Sequence, residues 1–364
     1  MSVLKHKVKQ HQDKLKNLSR RIFHGRTFVL SQSTPYEVIA TFGQTRIRYY
    51  AAQERKYAEP LVFIAPLAIN MAIYDLFPYR SLVQYFSQAG FDVYLLDWGK
   101  LGYSHRQLNF LKFIDEYIPR CIKEIQTHAQ QEKISLHGWS MAGLFALLYT
   151  AKHQPNAIKN LIILGSPIDS FASGPIGKLY KNLNSLLEQH PRFKHSLFKR
   201  RLPYILTHSP GILNAIGFKL LDPKGWYQGH KQLLQNLNDP QFLYEHATLG
   251  HFLNHMVDYP GGINQDMLLN IWLRNPLKHG RIILDQQQID LKAIDCALLV
   301  GAGESDQMVT AAAVQPLTTL TSSRDLTFSL IPGGHLGLMS NQKSAAQFWP
   351  QLAAWLAKRS STML

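Results

Sequence analysis

Two cysteines in 364 residues, Cys121 and Cys296, are too few for a disulfide framework. Their surroundings, CIKEIQ and DCALLV, read as an amphipathic helix and a buried strand, so both are expected to be inert buried thiols. No apolar run reaches the roughly 18 residues of a membrane span. The lysines at the N-terminus have no apolar stretch behind them, so no secretory leader is read there and a cytoplasmic location is expected. There is no phosphate-loop GxxxxGK string, no GxGxxG opening a helix and no closely spaced cysteine pair, which argues against a nucleotidase, a dinucleotide-dependent dehydrogenase and a thiolate metal site. His251 and His255 have i, i+4 spacing but lack the glutamate of a zinc-protease helix, so no metal and no cofactor are expected.

Acidic residues are also scarce. Asp and Glu number 24 against 39 Lys and Arg, a net charge of +15, in a chain that is 46% hydrophobic with 18 Pro and 23 Gly, a composition typical of an enzyme-sized globular chain. The excess is concentrated in two places. Residues 1–26 hold eight Lys and Arg against Asp13 alone, and residues 170–281 hold 13 against six acids, plus eight histidines. Such a field attracts nucleic acid, anionic lipid or an anionic substrate such as a CoA thioester. In the first segment Leu4, Val8, His11, Leu15, Leu18 and Ile22 share one helical stripe, with lysines around the rest. This basic amphipathic helix suits packing on the body of the protein, on a second subunit, or on an anionic membrane or inclusion surface. Few aromatics and no groove-reading motif lie there, so nucleic acid is not an expected partner.

Past Ser33-Thr34-Pro35, EVIATF and TRIRYYAA alternate as a hairpin joined at Gly43-Gln44. From residue 61 continuous apolar strands take over, LVFIA, FDVYLLDW, KISLHG and NLIILGS, separated by helical stretches near 73–89, 107–130 and 141–153. That alternation defines an α/β class with a mostly parallel sheet covered on both faces. Between 170 and 280 the rhythm stops. Proline-punctuated short helices rich in aromatics, including Phe193, Trp226, Tyr227, Phe252 and Tyr259, read as a helical cap. DCALLVGAG, a helix near 310–320, DLTFSLIP and a helix near 343–358 then resume the α/β pattern. The expected division is a basic N-terminal helix (1–30), a first core part (31–169), a cap insertion (170–280) and a second core part (281–364).

His137-Gly138-Trp139-Ser140-Met141-Ala142-Gly143 stands between a predicted strand and a predicted helix. A sharp strand-to-helix turn needs small neighbours and projects its apical side chain above the sheet, beside the N–H groups of the helix start. Ser140 is that apex, in GxSxA followed by Gly143. A serine nucleophile needs a base, and the base an orienting acid, in the order Ser, acid, His on this kind of scaffold. Asp306 follows the strand ALLVGAG and His335 follows TFSLIPGG, at the carboxyl ends where open sheets build their sites. Glu304 competes for the acid role, and Asp97 after VYLL is the geometric alternative. The Met141 N–H is one expected oxyanion donor, and Leu67 or Ala68 in APLAIN is the other.

Taken together, STPYEVI with TRIRYY, the PLAIN loop, RSLVQYFSQAGFDVYLLDWG, the elbow, GAGESDQMV, PGGHLGLMS and the WPQLAAWL helix resemble the polyhydroxyalkanoate synthases, in particular the short class III type that works with a partner subunit. The resemblance spans roughly residues 33–358. It implies an α/β-hydrolase fold, position 140 as nucleophile, Asp306 as acid and His335 as base. Two departures fall at the chemistry. The synthases carry cysteine in a GxCxGG elbow where this chain has Ser140, and their acid is usually followed by His where Gln307 stands here.

A thiolate is both a good nucleophile and a good leaving group, which suits a polymerase that passes a chain between thioester and alcohol. A seryl ester is less activated toward a second alcohol, which favours water as acceptor. Three readings follow: a serine hydrolase of acyl esters or thioesters of the hydroxyalkanoate or acyl-CoA type; a synthase-like acyltransferase polymerising hydroxyacyl-CoA; and a non-catalytic protein of a granule or lipid surface. Residues 1–26 would meet an anionic membrane or polymer granule, and a homodimer or partner subunit is compatible with each. The cap aromatics predict an apolar acyl tunnel over Ser140.

Overall fold

Alternating residues in Glu37–Phe42 and Thr45–Tyr50 make a hairpin whose turn residue Gly43 has φ +58°. In chain order the strands are β1 (Glu37–Phe42), β2 (Thr45–Tyr50), β3 (Leu61–Ile64), β4 (Val93–Asp97), β5 (Ile134–Trp139), β6 (Ile158–Leu164), β7 (Arg281–Leu284), β8 (Gln287–Asp290), β9 (Ala297–Gly303) and β10 (Leu326–Ile331). The computed structural model describes residues 2–153, 156–199, 202–221 and 223–363. Eight strands form one sheet in the order β1-β2-β4-β3-β5-β6-β9-β10. β2 runs antiparallel to β1 and β4, and every other pairing is parallel. The central strands β3, β4 and β5 are buried along their whole length, which explains why they read as continuous apolar runs.

The helix Met141–His153 is buried from Met141 to Ala151 and apolar on all sides. It lies on β5 and β6, and the β7–β8 ribbon with the turn Leu291–Ala293 covers it further. The ribbon, in RIILDQQQID, went unread in the sequence because its strands are only four residues each and pair with each other alone.

Three expected helices take different forms, the one near 310–320 being a short α-helix Ala311–Val314 followed by a 3-10 turn Gln315–Thr319. In place of a helix over 73–89 there is a 3-10 turn, Met71–Tyr74, and a helix Leu82–Gln88 capped by Ser81, whose Oγ accepts from Gln84 N. Pro78 lies between them and cannot donate to a helical ladder. The stretch near 107–130 is helical over Phe110–Ala129 but widens to a π-turn at Phe113–Tyr117. The last helix, Gln342–Ala357, matches its expected span and carries Pro350 inside it.

Between β6 and β7 the described chain is helical over Gly174–Glu188, Pro191–Lys199, Tyr204–Thr207, Gly211–Leu221, Pro223–Gln235, Pro240–Asn254 and Gly261–Gln265, then a π-helical turn Asp266–Leu273. Pro175, Pro191, Pro223 and Pro240 sit in first turns, where a missing N–H costs nothing. Several of the segment's aromatics do not turn inward: Phe193, Trp226 and Tyr227 are exposed.

The N-terminal helix runs Ser2–Phe23. The side chains of Leu4, Val8, His11 and Ile22 from the expected stripe lie outside the described residues. Of the remaining two, Leu15 is exposed and Leu18 packs on a small cluster of Phe28, Leu237, Leu243 and Ala247. Asn17 Nδ2 donates to the Leu237 carbonyl at 2.8 Å. Packing on the body of the protein is therefore realised at the C-terminal end of this helix. Among the described residues no helix is long and apolar enough to cross a membrane.

Candidate functional site

The turn from β5 into the helix Met141–His153 puts Ser140 at φ +57°, a left-handed conformation costly for a residue with a Cβ. Several contacts hold it there. Ser140 N donates to the Leu164 carbonyl at 2.8 Å, and the Ser140 carbonyl accepts from Gly143 N at 3.1 Å and from Ser166 Oγ at 2.8 Å. The flanking glycines are sterically required. A Cβ at Gly138 would lie 2.4 Å from the Ala142 carbonyl oxygen, and one at Gly143 would lie 1.9 Å from Ser166 Oγ. Ala142, where many elbows carry glycine, is fully buried without such a conflict, so the close approach has moved to Gly143. Gly143→Ala is expected to cost about 1–3 kcal/mol of stability through overpacking. Urea melts would measure it, and adding Ser166→Gly should recover part of the loss.

The structure brings Ser140, His335 and Asp306 together. His335 Nε2 lies 2.9 Å from Ser140 Oγ, and His335 Nδ1 lies 2.7 Å from Asp306 Oδ2. In the tautomer with its proton on Nδ1, His335 donates to Asp306 Oδ2 and turns the Nε2 lone pair to the serine hydroxyl. Asp306 is buried, and its Oδ1 accepts from Met308 N and Val309 N at 2.9 Å each. Trp139 flanks His335, ring centroids 5.2 Å apart. A Cβ at Gly165 would lie 2.7 Å from Leu338, so glycine there lets the histidine-bearing loop come close.

The competing acids are elsewhere. Glu304 is exposed. Asp97 Oδ2 accepts from Arg48 Nη2 at 2.6 Å and from Arg48 Nε at 2.9 Å, while its Oδ1 accepts from Gly99 N, a buried structural pair across β2 and β4.

Met141 opens its helix, where the first N–H groups have no intrahelical acceptor. Its Sδ accepts from the Tyr259 hydroxyl at 2.8 Å, and burial raises that phenol well above its ordinary value, keeping it a donor. The loop after β3 carries Leu67, buried, and Ala68, at φ +68°. It is tied to the helical segment: the Ala68 carbonyl accepts from Val257 N at 3.1 Å and Asn70 Nδ2 donates to the His255 carbonyl at 3.0 Å. Trp98 Nε1 and Tyr74 Oη donate to the Ala65 and Ile64 carbonyls and fix the end of β3.

His137, on β5 three residues before Ser140, is buried; burial pushes its pKa down to about 3, so it is neutral near pH 7. Cys121 and Cys296 are both pushed up to about 12 by burial. His251 and His255 stack on each other at 3.9 Å, and among the described residues no cluster of three or more metal-ligating groups occurs. Ser166 and Tyr259 are the neighbours sequence reasoning missed: GSP after a strand reads as plain loop, and Tyr259 is one of many aromatics in its segment.

Residues 68–342 match the α/β-hydrolase fold family, and the chain belongs to it. Within that family it is similar to polyhydroxyalkanoate synthases, and it is an enzyme of the hydrolase or acyltransferase kind. It is 26% identical over 331 residues to the poly(3-hydroxyalkanoate) polymerase subunit PhaC of Haloferax mediterranei, covering 90% of this chain but only 65% of that protein. The subunit of the same name from Allochromatium vinosum is 27% identical over 301 residues, 82% of this chain and 81% of that one. Among solved structures, a soluble variant of monoglyceride lipase from Saccharomyces cerevisiae, in complex with a substrate analog, aligns with a TM-score of 0.55 at 15% identity, covering 91% of this chain and 97% of that one.

Proposed function

We propose that this chain is a serine-dependent hydrolase of acyl esters or thioesters, of the hydroxyalkanoate or acyl-CoA type. The observation that carries the reading is the continuous hydrogen-bonded line from Ser140 Oγ through His335 to Asp306 Oδ2. In this mechanism Ser140 Oγ attacks the acyl carbonyl carbon while its proton passes to His335 Nε2. Asp306 stabilises the resulting imidazolium through Nδ1–H. The oxyanion is met by the Met141 N–H and by an N–H of Leu67 or Ala68. The carbon–sulfur or carbon–oxygen bond then breaks, and His335 returns its proton to the leaving thiolate or alkoxide. A water molecule, deprotonated by the same imidazole, attacks the seryl ester and releases the acid.

Residues 170–280 act as a cap inserted into one α/β core. Its links to the 67–70 loop, through Val257 and His255, support a part in shaping the acyl site. Residues 1–26, with eight Lys and Arg against Asp13, would meet an anionic membrane or polymer granule, and a homodimer or partner subunit is compatible with this reading.

The second reading is a polymerising acyltransferase, favoured by the PhaC relatives. Incubation with 3-hydroxybutyryl-CoA separates the two. Free CoA with monomeric 3-hydroxybutyrate supports the hydrolase. Free CoA with insoluble polymer would replace it by the synthase.

A further inference from the structure

Residues 255–259, late in the helical segment between β6 and β7, touch both sides of the expected oxyanion site. On one side Val257 N donates to the Ala68 carbonyl at 3.1 Å, and the His255 carbonyl accepts from Asn70 Nδ2 at 3.0 Å. On the other the Tyr259 hydroxyl donates to Met141 Sδ at 2.8 Å. Among the described residues no backbone carbonyl accepts from the N–H of Leu67, Ala68 or Met141, which leaves these three donors available to a developing oxyanion. Ala68 is at φ +68°, a left-handed turn that a residue with a Cβ keeps only when its surroundings hold it.

The stretch is itself held from behind. The Val257 carbonyl accepts from Asn214 Nδ2 at 2.9 Å, Asp258 Oδ1 accepts from Gly211 N at 2.9 Å, and Ser209 and Tyr259 exchange two backbone bonds of 3.1 and 2.8 Å. A Cβ at Gly211 would lie 2.1 Å from the Met256 carbonyl oxygen, so glycine there lets the start of the helix Gly211–Leu221 press directly on the stretch. Two cavities of about 810 and 440 Å³ meet at Leu336, the chain neighbour of His335, and neither is lined by residues 255–259, Ala68, Asn70 or Met141. These residues therefore touch the frame of the elbow, and the walls of those cavities are made by others.

We propose that residues 255–259 are a strap that fixes the oxyanion donors, with Asn70 and Tyr259 as positioning residues. Asn70 ties the strap to the loop carrying the Leu67 and Ala68 N–H groups, and Tyr259 seats Met141, whose N–H is the other donor. This rests on the serine-hydrolase reading and gives the helical segment a part in the chemical step, besides any part in admitting substrate. Donors stabilise a developing oxyanion only if they already point at it, and a misplacement of about an ångström costs on the order of 100-fold in rate. Without the bonds from Val257 and Asn70, Ala68 would relax toward a commoner backbone conformation and turn its N–H away. A thioether is a weak acceptor, so the Tyr259 bond adds little stability and serves chiefly to place the Met141 side chain.

Asn70→Asp keeps the oxygen that accepts from Ala72 N at 3.0 Å and loses the donor to the His255 carbonyl. Turnover of p-nitrophenyl butyrate by this full-length variant is expected to fall about tenfold or more in kcat, with KM within about twofold of wild type. A trifluoromethyl ketone, to whose carbonyl carbon Ser140 Oγ adds to leave an oxyanion, should lose affinity by the same factor as kcat/KM. Tyr259→Phe removes one weak bond and should lower both by about threefold. Unchanged kcat and ketone affinity in Asn70→Asp would overturn the proposal. So would a raised KM at constant kcat, which marks a substrate contact, or a loss of rate that follows the melting temperature alone. Asn70→Ser, whose hydroxyl can still cap Ala72 N, serves if Asn70→Asp does not fold. If Ser140→Ala turns over at the wild-type rate, the hydrolase reading fails and the strap's role with it; if Ser140 is essential and the Asn70 variant matches wild type, the strap proposal alone fails.

Discussion

Ser140→Ala is expected to lower acyl turnover by about four orders of magnitude or more, leaving only what a preformed oxyanion site and substrate binding supply. In the proposed mechanism Ser140 is the one group in the line to Asp306 whose atom becomes bonded to substrate, and no described side chain stands in its place. The contacts that shape the elbow come from the backbone of residue 140: its N–H to Leu164 and its carbonyl to Gly143 and Ser166. Alanine keeps all three, so the variant should fold with an unchanged melting temperature. Steady-state rates on an activated ester and on an acyl-CoA check it, and a loss below tenfold would remove Ser140 from the mechanism.

Asp306→Asn is the second large effect, with an expected loss of about 10⁴-fold in kcat. The amide oxygen can still accept from Met308 N and Val309 N, so the loop keeps its shape. The amide nitrogen then faces His335 Nδ1 and donates to it, which moves the ring proton to Nε2 and leaves no lone pair for Ser140. The fault is one of tautomer, with little change of position, so substrate binding should survive while the rate collapses. Glu304→Gln is the control, because Glu304 is exposed and takes no part in the line from Ser140 to Asp306. Rates for the two variants side by side decide which acid serves His335.

Much of this was legible in the residues because the constraints are local. A hairpin turn at Gly43-Gln44, buried apolar strands and a strand–Gly-x-Ser–helix junction each declare themselves within ten residues. The order of Ser140, Asp306 and His335 followed from where strands end, and the sheet does bring those ends to one edge. What stayed hidden depends on partners far along the chain. Asp97 could not be dismissed as the acid until Arg48, on the neighbouring strand, was seen to occupy it. Ser166 matters only because β6 ends beside the elbow. The expectation of an aromatic tunnel rested on residue type alone. Phe193, Trp226 and Tyr227 lie exposed, and Ser140 lines neither of the two cavities beside the His335 loop. The break at Pro78 and the π-turn at 113–117 show helical periodicity persisting through segments whose backbone departs from it.

The central claim is that the acyl group passes through a covalent ester on Ser140. Rapid acid quenching of the wild-type protein during turnover of 3-hydroxybutyryl-CoA, followed by peptide mass analysis, measures that ester directly. The account predicts a mass increase of one hydroxybutyryl group on the peptide carrying Ser140, absent from Ser140→Ala and accumulating slowly in Asp306→Asn. An acyl group on another side chain, or product release by Ser140→Ala at the wild-type rate, would contradict it.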